Sequence, residues 1–314
     1  MVEFFNAVSA VFVIFMLLSV GYLLGRLGWL TANEKRFISK YVVNIAVPIN
    51  CVVGVLNNFS RDELTHAGVQ ILVGIIVVTL TLVLGAVVAT ALRLPKNRWG
   101  IFVAMSGISN TMFIGLPMTQ QLFGPVSLPY MMTYFLASSV FTQTVAVVLC
   151  EQAGAKESTG KYNFGKMLLG MFKKPPVIGI CLAVGMLLLN FRPPQVLMNA
   201  AGYISNTVTP LALMYCGFIL YEVGLKKLRF LPGLPVMLVI RLIVAPIICV
   251  GVCRLFGVTG LAHDVFVVMS ALPVVTQVTV MAGAYGADEQ YAAIGSSMSL
   301  LGIFITIPVI MTLL

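Results

Sequence analysis

Carboxylates are missing from every long apolar stretch of this sequence. All ten acidic residues (Glu3, Glu34, Asp62, Glu63, Glu151, Glu157, Glu222, Asp264, Asp288, Glu289) fall in polar segments or at the ends of apolar runs. Charge of either sign is scarce, at 9% of 314 residues, where a soluble domain carries about 25%. Histidine occurs twice, at His66 and His263, without the spacing of metal ligands. Six cysteines (Cys51, Cys150, Cys181, Cys216, Cys249, Cys253) lie in or beside apolar runs with no C-x-x-C pair, so neither a disulfide framework nor a zinc site is indicated. No nucleophile stands with a base, and no phosphate-cradling loop or redox motif is present, so an enzyme has no residues to stand on. No cofactor and no metal are expected.

What the sequence has in quantity is apolar length. Hydrophobic residues make up 60% of the chain and the mean hydropathy is +1.03, which is the composition of a membrane protein. A hydrocarbon core of ~30 Å takes roughly 20 helical residues to cross. Ten windows of that kind are predicted, near 4 to 26, 37 to 57, 68 to 92, 99 to 123, 127 to 150, 175 to 191, 196 to 221, 233 to 254, 262 to 285 and 290 to 313. The first lacks a basic lead and a cleavage site, so it reads as a retained span.

The net charge of +9 resides in short loops, which points to membrane topology rather than to nucleic acid. One set of alternate loops holds fifteen Lys and Arg, from Arg26 to Arg229, while the other holds only Arg61, Arg192 and Arg254. By the positive-inside rule the first set is cytoplasmic and both termini are extracytoplasmic, in a multi-pass protein of the cell (inner) membrane. The longest connection, 151 to 174, divides the spans five and five, giving a first repeat at 1 to 150, a cytoplasmic linker loop and a second repeat at 175 to 314. Five spans per half make the second half enter upside down, as an inverted repeat. The stretches YVVNIAVP (Tyr41, Asn44, Pro48) and YISNTVTP (Tyr203, Asn206, Pro210) match in register at an offset of 162. Phe123-Gly124 and Tyr285-Gly286 repeat at the same offset, whereas Pro117 and Pro273 do not align.

Two spans carry helix breakers near mid-bilayer. SNTMFIGLPMTQQLFG holds Asn110, Gly115 and Pro117 in span four, and ALPVVTQVTVMAGAYG holds Pro273, Thr276 and Gln277 in span nine. Proline removes a backbone donor and glycine weakens helix, and such breaks persist in a membrane only when buried in protein or lining a cavity. Two breaks at matching depth imply one shared polar site, built from Asn110, Thr111, Thr276 and Gln277 beside the half-helix N-termini, which favour an anion. Asn44 and Asn206, which repeat, are further candidates for substrate binding.

Arg241 stands about nine residues into span eight, or ~13 Å deep at 1.5 Å per residue. It either caps carbonyls at the broken helix ends or meets the substrate directly, and both readings make the cavity electropositive. With no carboxylate at mid-membrane, a sodium-proton antiporter loses its central residue. Gly21 and Gly25 form a small-xxx-small pair that predicts close helix packing.

These stretches, with NIAVP in span two and RLIVAP in span eight, resemble the auxin efflux carrier family in its bacterial branch, whose members are proposed to carry malate or malonate. The likeness runs over nearly the whole chain. It implies that helices four and nine cross at their breaks, that Asn110 holds a substrate carboxylate, and that spans one, two, six and seven form a scaffold for a moving domain of the others. The chain reads KKPPVIG, with Pro176, where plant members carry an asparagine. Its span three lacks their paired Asp and Lys.

The sequence therefore predicts an all-α protein of ten helices in two inverted repeats, a secondary active or facilitative transporter of small organic anions working by elevator-like alternating access. The substrate and the lipid bilayer are its partners, with a homodimer possible. Coupling stays open between uniport, a proton riding on the substrate and a cation such as sodium held by backbone carbonyls. Competing readings are a membrane metabolite sensor that does not transport, and an exporter of amino acids or neutral metabolites.

Overall fold

The computed structural model describes residues 12, 16–58, 68–155, 175–223 and 231–314. The expected linker from 156 onward, the loop holding Arg61 and Asp62, and the basic residues at 226, 227 and 229 lie outside them. The described residues are helical, with no strand apart from one isolated bridge pair. We number the helices α1 (Met16–Arg26), α2 (Ala32–Asn57), α3 (Gly68–Ala91), α4 (Lys96–Gly107), α5 (Leu116–Phe123) and α6 (Pro129–Gly154). In the second half come α7 (Pro175–Leu188), α8 (Gln195–Glu222), α9 (Leu234–Leu255), α10 (Leu261–Ser270), α11 (Gln277–Tyr285) and α12 (Glu289–Leu313). Six of these, α2, α3, α6, α8, α9 and α12, are each long and apolar enough to cross a membrane. The predicted spans four and nine are each split, into α4 with α5 and α10 with α11, so neither presents one long helix.

Local chemistry sets several helix ends. Thr31 and Glu34 form a reciprocal capping box that starts α2, and Asp288 starts α12 by accepting the Tyr291 amide at 2.9 Å. Gly286, at φ +78°, closes α11 in the left-handed conformation that glycine adopts without steric cost. Leu72, Leu80, Val83 and Val87 of α3 point outward as an apolar flank suited to lipid.

The helices pack in two groups. In the first, α7 lies along α2, α8 packs on α2, and α1 crosses α8 where the Cβ absent from Gly21 would strike the Met214 carbonyl. Gly25 faces the rings of Phe218 and Tyr221, so the small-residue pair serves helix packing within the chain. In the second group, α3 packs against α4, α6 and α9, and α10 against α9 and α6. Four turns of wider π-helical winding interrupt these helices, at Val42–Ala46, Thr111–Gly115, Thr142–Ala146 and Ile240–Val244. Such a turn re-aims the side chains on it.

Residues from alternate loops meet on one face. Lys35 pairs with Glu222 at 2.9 Å and Glu289 at 2.6 Å, Arg98 pairs with Asp288 at 2.7 Å, and Lys96 donates to the Ala155 carbonyl at 3.3 Å.

A candidate site where two broken helices cross

The backbone freed by each break is taken up by the other. Ser109 and Val274 pair in antiparallel fashion, with the Asn110 amide donating to the Pro273 carbonyl at 2.8 Å and the Val275 amide to the Ile108 carbonyl at 3.4 Å. The Val274 amide finds the Ser299 hydroxyl of α12 at 3.0 Å. Unsatisfied backbone in hydrocarbon costs several kcal/mol per group, so these contacts are what allow two helices to stop in mid-structure. The chain re-enters helix through the π turn at Thr111–Gly115, where the Gly115 amide reaches the Asn110 carbonyl at 3.2 Å.

Gly115 packs closely against two flexible side chains. A Cβ there would sit 2.8 Å from both Leu272 Cδ1 and Met269 Sδ, at the end of α10.

Arg241 sits on the π turn of α9 and is 1% exposed. Its Nη1 donates to the Ser106 carbonyl at 3.3 Å and its Nη2 to the Ser270 carbonyl. These carbonyls belong to the last turns of α4 and α10, so one guanidinium closes the C-terminal ends of both first half-helices. Of the two roles the sequence left open for Arg241, the geometry displays the carbonyl cap. It lines neither cavity at the crossing.

On one side of the crossing lies a pocket whose polar walls include Asn50, Asn110, Thr111, Ser139, Gln143 and Gln277. Gln143 Nε2 donates to Gln277 Oε1 at 3.1 Å, joining α6 to the start of α11. Gln143 Oε1 and Asn110 Oδ1 are buried without a hydrogen-bond partner. Thr276, Pro273, Ser296 and Ser297 line a second, smaller pocket with apolar neighbours.

The structure thus brings together Asn110, Thr111 and Gln277 in one cavity, sets Pro273 and Thr276 at the other, and puts Gly115 in the packing behind them. Pro117 follows on α5, with its side chain outside the described residues. Asn44 and Asn206 are not brought in. Both are exposed, and the Asn44 amide donates to the Lys40 carbonyl of its own helix at 2.8 Å, so their repetition reflects matching places on α2 and α8. Sequence reasoning missed Asn50, Ser139, Thr142 and Gln143. Their signal was available as the polar run TQT (142 to 144) inside span five and the second asparagine of NIAVPIN.

Comparison with known proteins agrees with the resemblance in the sequence. The model of a family described as "Membrane transport protein", the auxin efflux carrier-like family, matches residues 6–311. An uncharacterized transporter of Methanocaldococcus jannaschii is 24% identical over 295 residues, covering 91% of each chain. A second uncharacterized transporter, from Methanothermobacter thermautotrophicus, is 22% identical over 282 residues and 86% of each chain.

Proposed function

We propose that this chain, which belongs to the membrane transport protein family, carries small organic anions bearing a carboxylate across the membrane. The observation that carries the reading is the cavity at the crossing. It is lined by polar side chains and bounded by the starts of the two second half-helices at Thr111 and Gln277, where about half a positive charge each favours an anion. Asn110 and Gln277 supply side-chain donors beside those ends. Membership of a transporter family and the lack of any catalytic constellation in the sequence favour movement of the ligand over its conversion.

Alternating access follows in an elevator-like form. The packing of α1, α2, α7 and α8 in one group, and of α3 to α6 with α9 and α10 in another, suits a scaffold and a carrier domain that slides with the crossing inside it. Ten spans in two inverted repeats, 1 to 150 and 175 to 314 about the 151 to 174 loop, complete the proposal, with both termini extracytoplasmic and the bilayer as the only obligatory partner.

The test is flux. Protein reconstituted in liposomes should take up labelled mono- or dicarboxylates in a saturable way, and empty liposomes should not. Binding without flux would make the protein a sensor. Absence of any carboxylate binding, with binding of neutral metabolites or amino acids instead, would overturn the assignment of substrate class.

A further inference from the structure

We infer that Lys35, Glu289 and Tyr215 form a clasp that fastens the carrier helices to the scaffold helices at one face of the membrane and opens each time the carrier moves. The clasp sets the balance between the two access states. The inference rests on the alternating-access reading above and names the residues that govern it.

Glu289 is the first residue of α12, and each of its carboxylate oxygens is held by a different helix of the scaffold group. Oε1 accepts from Lys35 Nζ of α2 at 2.6 Å, and Oε2 accepts from the Tyr215 hydroxyl of α8 at 2.7 Å. Helix α12 packs on α4, α9 and α11, and α11 packs on α6, so both belong with the carrier group; the faces they turn to α2 and α8 form the boundary between the groups. Among the described residues the other ion pairs stay on one side of that boundary. Lys35 with Glu222 joins α2 to α8, Arg98 with Asp288 joins the starts of α4 and α12, and His263 with Asp264 lies within α10. Lys35 with Glu289 crosses it. The seat is shaped for this contact: a Cβ on Gly283 of α11 would collide with the Tyr215 hydroxyl and come within 2.5 Å of Glu289 Oε2. One turn along α2 from Lys35, the Ser39 hydroxyl donates to the Val280 carbonyl of α11 at 3.2 Å.

Two features let this contact open. Lys35 bridges two carboxylates, Glu289 on the carrier and Glu222 on the scaffold. When Glu289 withdraws, the ammonium keeps Glu222, so the cation is not stranded without a partner, which is the costly way to break a shielded ion pair. Glu289 for its part stands in the first turn of its own helix, where the N-terminus favours a carboxylate. Water also reaches the pair, along a cleft lined by Lys35, Arg36, Lys40, Tyr215 and Glu289. Side-chain exposures of 18% for Lys35 and 22% for Glu289 keep its strength within what a conformational change can reverse. The cleft stops at Ser39. Beyond it Val42, Val43 and Ala46 are buried, where this part of α2 packs on α8 and α11, so the clasped form is shut between this face and the crossing.

A two-state carrier reports such a contact directly. Apparent affinity at each face is the intrinsic affinity reduced by the fraction of protein open to that face. The ratio of the two half-saturation concentrations therefore follows the equilibrium between the states. Weakening the clasp lowers affinity at the far face and raises it at the clasp face, whereas a contact that only stabilises the fold leaves the ratio alone.

The experiment uses the full chain in vesicles of known protein orientation, with half-saturation concentrations for labelled succinate, and then malonate, measured from each face in turn. Glu289→Gln keeps the shape and loses the charge, and should shift the ratio about tenfold toward the state open at the clasp face; Tyr215→Phe should shift it about threefold the same way. Lys35→Glu combined with Glu289→Lys reverses the pair, and the new lysine meets Glu222 as well, so the ratio should return to the parental value or pass it. Arg98→Gln breaks a pair inside the carrier and should lower Tm with the ratio unchanged. A ratio that stays within about twofold of the parent in Glu289→Gln, or that moves equally in Arg98→Gln, would overturn the clasp. Hydrogen exchange on the same variants in nanodiscs needs no substrate. Glu289→Gln should speed exchange around Ser39 and from Val280 to Gly283 together, Arg98→Gln should not, and unchanged exchange in Glu289→Gln overturns the clasp as well. A parent that moves no carboxylate defeats the transport reading alone, and the exchange pattern then decides the clasp by itself.

Discussion

Replacing Arg241 separates a carbonyl cap from a source of field, because the two roles fail differently. The guanidinium makes two charge-assisted hydrogen bonds, to Ser106 and Ser270, and is 1% exposed. Hydrogen bonds to charged groups contribute about 1.5 to 3 kcal/mol each, so losing both costs roughly 3 to 6 kcal/mol. Holding an arginine at membrane depth costs roughly 2.5 to 3.5 kcal/mol, which Arg241→Met would recover. The difference leaves Arg241→Met destabilised by about 1.5 kcal/mol, a fall in Tm of roughly 3 to 6 °C on the scale of globular domains. Arg241→Lys should do no better, since an ammonium keeps the burial cost but lacks the planar fork that reaches two carbonyls at once. Thermal unfolding of both variants in nanodiscs reads the first effect, and succinate binding by the folded fraction reads the second. We expect binding within about threefold of the parent for both. A Met variant with unchanged Tm and about tenfold weaker binding, restored by Lys, would refute the cap and return Arg241 to the substrate site.

Four other outcomes follow from the same geometry. Asn110→Ala removes a cavity amide without demanding a new backbone path, and should raise the half-saturation concentration for flux about tenfold, or ~1.4 kcal/mol; parent-like transport of every carboxylate tested would move the site elsewhere. Gly115→Ala must push its new Cβ against Leu272 and Met269, 2.8 Å away, and should reduce flux more than binding because the crossing geometry is shared by both access states. Lys35→Gln breaks the contacts with Glu222 and Glu289, whose side chains are partly buried, and should cost about 1 kcal/mol at low salt and less at high salt in thermal unfolding. Cysteines placed near Asp62 and in the 151 to 174 loop should label from opposite sides of the membrane in intact cells, and labelling of both from outside would defeat the inverted repeat.

Legibility followed the physics of each signal. Breaks at Asn110 to Pro117 and at Pro273 to Gln277 were visible because proline and glycine oppose helix locally, and the structure splits the helices there, ending α4 at Gly107 and α10 at Ser270. The buried cation was equally plain, since one arginine in an apolar run has to find carbonyls or an anion. What stayed hidden depends on winding. Gln143 and Arg241 both sit on π turns, at Thr142–Ala146 and Ile240–Val244, and a change of winding shifts which side of the helix a residue faces. Asn44 stands apart from the crossing. It shares register with Asn206 and has the right polarity, yet it bonds within its own helix and faces outward.

The crossing sorts its four helix ends by sign, and this sorting is what leaves a site open. The C-terminal ends of α4 and α10 want donors, and one arginine on α9 supplies both. The stretches between the half-helices want partners for single N–H and C=O groups, and they serve each other through Ser109, Asn110, Pro273 and Val274, with Ser299 taking the remaining amide. The starts of the second half-helices, at Thr111 and Gln277, carry the partial positive charge of a helix N-terminus, and both residues line the pocket. A second arginine, or a carboxylate placed at those ends by the protein itself, would satisfy or repel what the substrate has to meet. Thr111→Asp provides that internal ligand: its carboxylate would stand at the start of the second half-helix, where negative charge is favoured. The variant should fold at least as stably as the parent and lose carboxylate binding by tenfold or about 1.4 kcal/mol at minimum. A Thr111→Asp protein that still binds succinate with parental affinity would show that the half-helix ends play no part in holding the substrate.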